Sequence, residues 1–404
     1  MKIKIYKLNC IEKIICILLI FTLMAEFLST EVNEIFSYSD EVFVIIILVI
    51  GMIKILSKHT KMRIQEIFIL GILGVIYIIG IIGNKVSCMQ TNKFAIYTDM
   101  LNWIKFWGTY IFLQNIISKE KVSKYYEIFI IIIKITLIIS LILEILNILN
   151  LNVLTNKYDR FGLHSFCFID GHPSTASSIF AVFSCFLLYD YKNNKKWIVC
   201  SILLEILTFR FKALAFVVAL IIEVIIMRKR VSVSKIMLIC GILIVVAWQP
   251  IKYYFLDSTA SRAVALNTSI KIANEYNPIG LGFATFGTSP SGKFYSNAYK
   301  KYGLWQRWGF TDDNYSYIGD GGWASVIGQF GFLGTVLFII MIVLLYFSAK
   351  GRCFNKSKIY WLGILTYILI ASTNEVFFCS AYSIFFSMAL SILIKKEEIK
   401  GEIE

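Results

Sequence analysis

Long apolar runs alternate with short polar segments along almost the whole chain. A helix needs about 20 apolar residues to cross the hydrocarbon of a bilayer, and fewer where the bilayer thins. The runs that fit this length predict twelve membrane-spanning helices, at about residues 12–29, 42–57, 66–83, 95–117, 127–149, 174–191, 197–209, 213–227, 236–255, 323–347, 359–372 and 375–394. Two longer polar segments, residues 150–173 and 256–322, interrupt the pattern.

Composition agrees with this pattern. Hydrophobic residues make up 58% of the 404-residue chain and charged residues only 16%, whereas a soluble domain carries about 25% charged residues. The sequence therefore predicts an all-α polytopic integral membrane protein that forms one membrane domain over residues 1–404. This excludes a cytosolic enzyme, a secreted disulfide scaffold and a DNA-binding protein. It leaves a transporter, a channel or a membrane enzyme.

The basic residues predict how the helices are oriented. Lys and Arg in short loops are retained on the cytoplasmic side. One set of alternate loops and termini contains 23 of them, and the short loops of the other set contain 6. We therefore expect both termini in the cytoplasm and residues 150–173 and 256–322 outside it. The net charge of +14 is then an orientation signal and does not indicate a nucleic-acid partner.

Residues 197–227 could form one long helix or a hairpin of two short helices. One long span would place Lys196 and Arg228 on opposite sides of the membrane, so the basic residues favour the hairpin. Each arm would be only about 22 Å long, which leaves Arg210 at the tip below the outer surface. An arginine at that depth either snorkels to lipid phosphate or lines an outward-facing site for an anion.

The large outer segment predicts a short amphipathic helix at about residues 258–274, with Arg262 in its first turns. The second half of the segment is rich in aromatic and acidic residues, among them Trp305, Trp308, Tyr315 and Asp313. These rings could belong to the aromatic belt at the membrane interface. Because sugar rings stack on aromatic faces and their hydroxyl groups need acceptors, we favour contact with carbohydrate for the group as a whole.

Other charged residues lie within the predicted spans, including Lys105, Lys134, Glu144, Glu205 and Glu223. Such residues are costly in a membrane unless they are paired, and a transporter would place its coupling residues there. The cysteines show no spacing typical of a metal site, so most are expected to be core residues, and a disulfide between Cys88 and Cys167 is an alternative for that pair.

Four elements on the outer side resemble a family when they are taken together. The first element is Arg160-Phe161-Gly162 followed by Gly171-His172-Pro173-Ser174, and the second is the turn Phe209-Arg210. The third is Arg262 ahead of Asn277-Pro278-Ile279-Gly280-Leu281-Gly282-Phe283. The fourth runs from Asp320-Gly-Gly-Trp323 to Gly328-Gln329-Phe330-Gly331-Phe332-Leu333-Gly334. Their order resembles that of the O-antigen and capsule polymerase (Wzy-type) and O-antigen ligase superfamily, although Ser174 and Phe209 depart from its pattern.

The resemblance implies a GT-C-like membrane glycosyltransferase of the bacterial cytoplasmic (inner) membrane. It would polymerise surface polysaccharide by transferring a growing glycan from undecaprenyl diphosphate onto the next lipid-linked repeat unit, without a cofactor or a metal. Its partners would be the lipid-linked oligosaccharide, membrane lipid, a chain-length regulator and a flippase. A ligase acting on the same donor, or a transporter of lipid-linked sugars, is the alternative function.

Candidate roles follow from the chemistry of a diphosphate leaving group. Arginine donates bidentate, charge-assisted hydrogen bonds to phosphate. We therefore assign diphosphate binding to Arg210 and Arg262, and less directly to Arg160 and Lys212. The acceptor hydroxyl needs a base, for which Asp320, Asp313 and His172 are the candidates. The aromatic residues assigned to the glycan are Trp305, Trp308, Tyr315 and Trp323.

Overall fold

The computed structural model describes residues 38–57, 62–149, 159–160, 162–168, 172–228, 257–350 and 358–403, together with the single residues 20, 36 and 252. The predicted spans 12–29 and 236–255 fall outside this description apart from one residue in each, as do Phe161 and Gly171 of the first motif.

The predicted all-α class is confirmed, because the structure is about 78% helical. The α-helices are, in chain order, α1 (Ser39–Leu56), α2 (Ile64–Ser87), α3 (Lys93–Ile116), α4 (Val122–Ile148), α5 (Pro173–Leu188), α6 (Tyr191–Leu207), α7 (Phe211–Arg228), α8 (Ser261–Glu275), α9 (Ser289–Lys293), α10 (Asn297–Lys301), α11 (Gly322–Lys350), α12 (Lys358–Asn374) and α13 (Ser383–Ile403). Short 3₁₀ turns cover Lys119–Lys121, Leu304–Gln306 and Phe377–Cys379. Two strands of two residues each, β1 (Asp159–Arg160) and β2 (Leu163–His164), pair antiparallel.

Three of the described helices are long and apolar enough to cross a membrane by themselves. They are Ile64–Ser87, the continuous stretch Lys119–Ile148 and Gly322–Lys350. Many large apolar side chains on these helices face outward, for example Phe68 at 59% exposure and Val336 at 55%. Apolar faces of this kind are compatible with lipid as their surroundings.

Residues 197–227 form two helices, α6 and α7, as the basic residues predicted. The break lies at Thr208 to Arg210, where Phe209 has a positive φ of 49°. A residue with a side chain rarely adopts this left-handed conformation within a regular helix, so α6 ends there. The turn therefore presents Arg210 between the end of one helix and the beginning of the next.

One end of the molecule collects the segments that the basic residues assigned to the cytoplasmic side. Arg63, which precedes α2, pairs with Glu398 near the end of α13, and Lys119 before α4 lies 3.8 Å from the same carboxylate. Lys54 near the end of α1 donates to the Ile116 carbonyl at the end of α3, at 2.7 Å. These contacts join helix ends that the predicted topology places on one side.

At the opposite end, the segment from Asn277 to Phe283 lies against α11. The backbone N–H groups of Leu281 and Gly282 donate to the carbonyls of Gly328 and Gln329, at 3.0 and 2.8 Å. This is possible because α11 is interrupted at Gly331, whose φ of 64° opens the helix. A Cβ atom on Gly280 would lie 2.5 Å from the Gly328 carbonyl oxygen, so the close approach requires glycine. Two of the elements that resemble the family are thus in direct contact.

The amphipathic helix expected at residues 258–274 corresponds to α8, and its apolar face packs against a second hydrophobic core formed within the large outer segment. The proposed alternative of a disulfide is wrong: Cys88 and Cys167 are both free. The main core lies between the long helices and is rich in aromatic rings, with Trp107 stacked on Phe378 at a centroid distance of 5.3 Å.

Candidate functional site

Seven charged or titratable side chains are linked by electrostatic interactions at the end of the molecule that the predicted topology places outside. His172 interacts with Arg160, Arg210, Lys212 and Glu375, and Asp320 interacts with Arg210, Lys212, Arg262 and Glu375. They come from different parts of the chain: the strand β1, the ends of helices α5, α6, α7, α8 and α12, and the segment just before α11. We call them the charged cluster; its members are Arg160, His172, Arg210, Lys212, Arg262, Asp320 and Glu375.

The centre of the charged cluster is an ion pair between Lys212 and Glu375. Lys212 Nζ lies 2.7 Å from Glu375 Oε1, and the two side chains are 3% and 16% exposed. Lys212 Nζ also donates to Ser178 Oγ at 3.2 Å, and Ser174 Oγ donates to Glu375 Oε2 at 3.0 Å. The rings of Tyr367 and Tyr382 lie within 5.9 and 5.8 Å of the same ammonium. The pair is therefore held from α5, α7 and both sides of the turn after α12.

His172 serves as the N-cap of α5. Its Nδ1 atom accepts the backbone N–H of Ser174 at 3.2 Å, and Pro173 begins the helix. Burial and the positive charges of Arg210 and Lys212 lower the pKa of His172 to about 4. The imidazole is consequently neutral at physiological pH and adds no charge to the cluster.

Asp320 lies on the other side of the charged cluster, just before α11. Burial raises the pKa of Asp320 above its usual value, while the nearby Arg262 guanidinium acts in the opposite direction. The position of Asp320 relative to Glu375 is fixed by Gly322, because a Cβ there would lie 2.5 Å from the Glu375 carbonyl oxygen. A carboxylate that is more basic than usual and faces an arginine is suited to accept a proton from a bound hydroxyl group.

Arg210 is held at the helix break by the smaller outer segment. Arg160 Nη1 donates to the carbonyl of Phe209 at 3.2 Å, and the backbone N–H of Phe166 donates to the Leu207 carbonyl at 2.9 Å. Strained backbone such as that of Phe209 often occurs where a side chain must be placed for function. Arg160 therefore lies against the turn that carries Arg210, although the two residues are distant in sequence.

Glu375 is a member of the charged cluster that the sequence reasoning missed. It lies in the polar stretch Ser372-Thr-Asn-Glu375, which the apolar pattern alone treats as the end of one span and the beginning of the next. A signal was present, since a carboxylate at the boundary of two spans on the outer side needs a partner. The sequence could not show that this partner is Lys212.

The other predicted site residues do not all join the charged cluster. Asp313 is exposed, and no contact described in the structure connects it to the cluster. Trp305, Trp308 and Tyr315 are 50, 67 and 41% exposed on the surface of the large outer segment, and no described contact links them to the cluster either. They remain available to a ligand that extends over this surface.

Trp323 is placed differently from these three rings. It packs against Phe338 at a centroid distance of 6.3 Å and lines a small apolar recess. The recess adjoins the charged cluster, because Gly322 and Val376, chain neighbours of Asp320 and Glu375, also line it. The remaining walls are formed by Trp103, Val326, Ser372, Phe377 and Phe378.

This arrangement is suited to an anionic ligand and not to a cation. Arg160, Arg210, Lys212 and Arg262 are all cations. The Ser174 hydroxyl in the first turn of α5 donates to Glu375, so the N-terminus of α5, where backbone N–H groups favour anions, borders the same region. No family model, no curated protein and no solved structure matches the chain. Its function is accordingly inferred from the geometry of the charged cluster.

Proposed function

We propose that this protein is a membrane glycosyltransferase of the GT-C type with twelve spans. It transfers a growing glycan from undecaprenyl diphosphate onto the next lipid-linked repeat unit on the outer face of a bacterial cytoplasmic membrane. The observation that carries the proposal is the convergence of Arg210, Lys212 and Arg262 beside Asp320, with Arg160 against the turn that carries Arg210. Fixed cations next to one basic carboxylate are what the displacement of a diphosphate by a hydroxyl group requires.

In the proposed reaction, an acceptor hydroxyl attacks the anomeric carbon of the donor glycan. The new glycosidic bond forms as the bond from that carbon to the diphosphate oxygen breaks, and the electron pair leaves with the diphosphate. Arg210 and Arg262 stabilise the negative charge that develops there, because a guanidinium offers two parallel N–H donors to phosphate oxygens. Asp320 takes the proton of the acceptor hydroxyl.

His172 and Asp313 are weaker candidates for the base. The pKa of His172, about 4, leaves its imidazole with little affinity for a proton, and its Nδ1 already accepts the backbone N–H of Ser174. Asp313 is solvent-exposed, where no neighbour would hold it against a bound acceptor. The exposed rings of Trp305, Trp308 and Tyr315 would contact the glycan farther from the reacting bond.

The charges within the predicted spans support a transporter less well. Lys105 is compensated by Asp40 and Glu41 at 2.5 and 2.7 Å, which fits a structural role. Lys134 lies 5.7 Å from the Trp197 ring centroid, and Glu144 accepts a hydrogen bond from Asn147 at 3.2 Å.

The test is to reconstitute the purified protein in lipid vesicles with lipid-linked repeat units and to separate the products on a gel. We expect a ladder of lipid-linked chains that differ by whole repeat units. Transfer of glycan to a non-lipid acceptor would instead establish a ligase. Movement of intact lipid-linked units across the bilayer, without new glycosidic bonds, would establish a transporter and refute the enzyme.

A further inference from the structure

The Lys212–Glu375 pair places a negative charge inside a site that we have proposed for an anion. Glu375 is held by an ammonium, by the hydroxyl of Ser174 and by a backbone packed against Gly322. Because α5 begins at Pro173, its N-terminal N–H groups also favour an anion at this position. A carboxylate so firmly fixed cannot easily move away when an anionic ligand binds.

Glu375 lies among the cations assigned to the diphosphate, since its carboxylate pairs with Lys212 and, like Arg210, interacts electrostatically with both His172 and Asp320. A lipid diphosphate that carries a sugar is esterified at both ends and bears two negative charges. The lipid diphosphate released by the reaction has a free terminal phosphate and bears about one further charge near pH 8, because the last pKa of such a group is about 6.

We propose that Glu375 is a specificity-determining residue whose fixed charge makes the site prefer the doubly charged, sugar-bearing lipid diphosphate over the triply charged lipid diphosphate product. This inference rests on the proposed function and deepens it. The product carries one more negative charge than the donor, and the fixed carboxylate of Glu375 repels the product more strongly for that reason. Glu375 thereby limits inhibition by the product without contacting the reacting atoms.

The inference does not depend on which sugar the donor carries, and the test uses probes without sugar. Farnesyl diphosphate and its terminal methyl ester differ by one ionisable oxygen and therefore by one charge. Binding of each is measured at pH 8 to the full chain in lipid nanodiscs. The quantity compared between variants is the ratio of the two dissociation constants, which a general loss of folded protein does not change.

In wild-type protein we expect the methyl ester to bind at least as tightly as farnesyl diphosphate. Glu375→Gln should shift the ratio about tenfold in favour of farnesyl diphosphate, since charges a few ångströms apart in a partly buried site interact strongly. Glu375→Asp retains the charge and should retain the wild-type ratio. The matched control is Glu275→Gln, which removes an exposed carboxylate paired with Lys301 at the other end of α8.

A second pair of variants covers the case in which Glu375→Gln fails to insert, because that change leaves Lys212 buried without its partner. Lys212→Met and the double variant Lys212→Met/Glu375→Gln differ only in the Glu375 charge. The ratio of the two dissociation constants should differ between these two variants in the same direction, and by a similar factor, as it does between wild type and Glu375→Gln.

The outcomes separate the two proposals. If both probes bind but the ratio stays within about twofold on removal of the Glu375 charge in either background, the inference about Glu375 is wrong and the diphosphate site stands. If wild-type protein binds neither probe, the diphosphate site and the proposed function are both wrong.

Discussion

Two polar regions lie on either side of the first turns of α11, and they consist of different kinds of side chain. One is an amide clamp of Asn84, Gln90, Asp99 and Gln329, which holds the large outer segment onto α2, α3 and α11. The other is the charged cluster. Both bring together residues from distant parts of the chain, but only the cluster contains several cations.

The amide clamp is occupied by the protein's own backbone. Asn84 exchanges two hydrogen bonds of 2.8 Å with the N–H and the carbonyl of Phe283. Asp99 Oδ2 accepts the N–H of Ala284 at 2.6 Å and Gln329 Nε2 at 2.9 Å. Trp103 Nε1 in turn donates to Gln329 Oε1 at 2.9 Å. Buried polar groups that pair with backbone in this way fix one arrangement of the chain.

The charged cluster is positioned by helix ends, and the ion pair and electrostatic interactions that define it join side chains to one another, whereas the clamp binds the backbone of a docked segment. We propose that the clamp provides stability and that the cluster provides chemistry. If this division is correct, substitutions in the cluster act on the rate and substitutions beside the clamp act on stability.

Removal of one cation should abolish catalysis without unfolding the protein. We expect Arg210→Ala to lower the rate of ladder formation at least about 100-fold, because an electrostatic contact to a developing charge is worth about 3 kcal/mol in the transition state. The matched control is Arg307→Ala, which removes an exposed arginine of the outer segment and should leave the rate unchanged. Wild-type chain lengths in Arg210→Ala would refute the assignment of this residue to the diphosphate.

A change where Gly280 contacts α11, beside the amide clamp, should act on stability and not on catalysis. Gly280→Ala places a Cβ 2.5 Å from the Gly328 carbonyl oxygen, and we expect it to lower the free energy of unfolding by about 2–4 kcal/mol. Thermal unfolding in detergent measures this. Gly74→Ala is the control, since no atom lies within 4 Å of its added Cβ. Equal melting temperatures for the two variants would mean that the contact between Gly280 and α11 does not hold the outer segment tightly.

The pH dependence of the rate should identify the base. Burial raises the pKa of Asp320, so this carboxyl group takes up a proton at higher pH than an exposed one does. Activity that needs the carboxylate should accordingly fall on acidification, and this acid limb of the pH–rate profile should have an apparent pKa above the usual value of about 3.9. Asp320→Asn should lose the acid limb together with most of the rate.

His172 should not contribute to this acid limb. With a pKa of about 4 the imidazole does not change charge between about pH 5 and 8. His172→Asn retains a good N-cap for α5, so it removes the imidazole with little effect on the helix. The acid limb should keep its position in this variant, and its loss there would make His172 the base.

The smallest effect is expected at the exposed rings. Trp308 is 67% exposed, and its side chain packs edge-on against Tyr317 at 5.0 Å. Trp308→Ala should raise the KM for long lipid-linked chains about fivefold and leave the melting temperature unchanged, because one stacking contact is worth about 1 kcal/mol. Trp308→Phe keeps an aromatic face, so its KM should lie between those of wild type and Trp308→Ala. An unchanged KM in Trp308→Ala would place the glycan elsewhere.

The sequence by itself determined the helical class and the break at Arg210, both of which the structure confirms, and it predicts on which side of the membrane the charged residues lie. These features depend on local or one-dimensional signals: the length of apolar runs, their interruption and the distribution of Lys and Arg. The candidate residues Arg160, Lys212, Arg262 and Asp320 came from the resembling elements and from the chemistry of a diphosphate, and Arg210 came also from its depth in the predicted hairpin.

Only the tertiary structure decided which of these residues meet. Glu375 is 163 positions from Lys212 in the chain, and nothing in the spacing of either predicts their 2.7 Å contact. Likewise the opening of α11 at Gly331 and the docking of Gly280 against it depend on two backbones approaching to hydrogen-bonding distance. The hydrophobic pattern determines which face of a helix is buried, but it does not determine which other segment packs against that face. This packing decides that Glu375 belongs to the charged cluster while Asp313 remains in solvent.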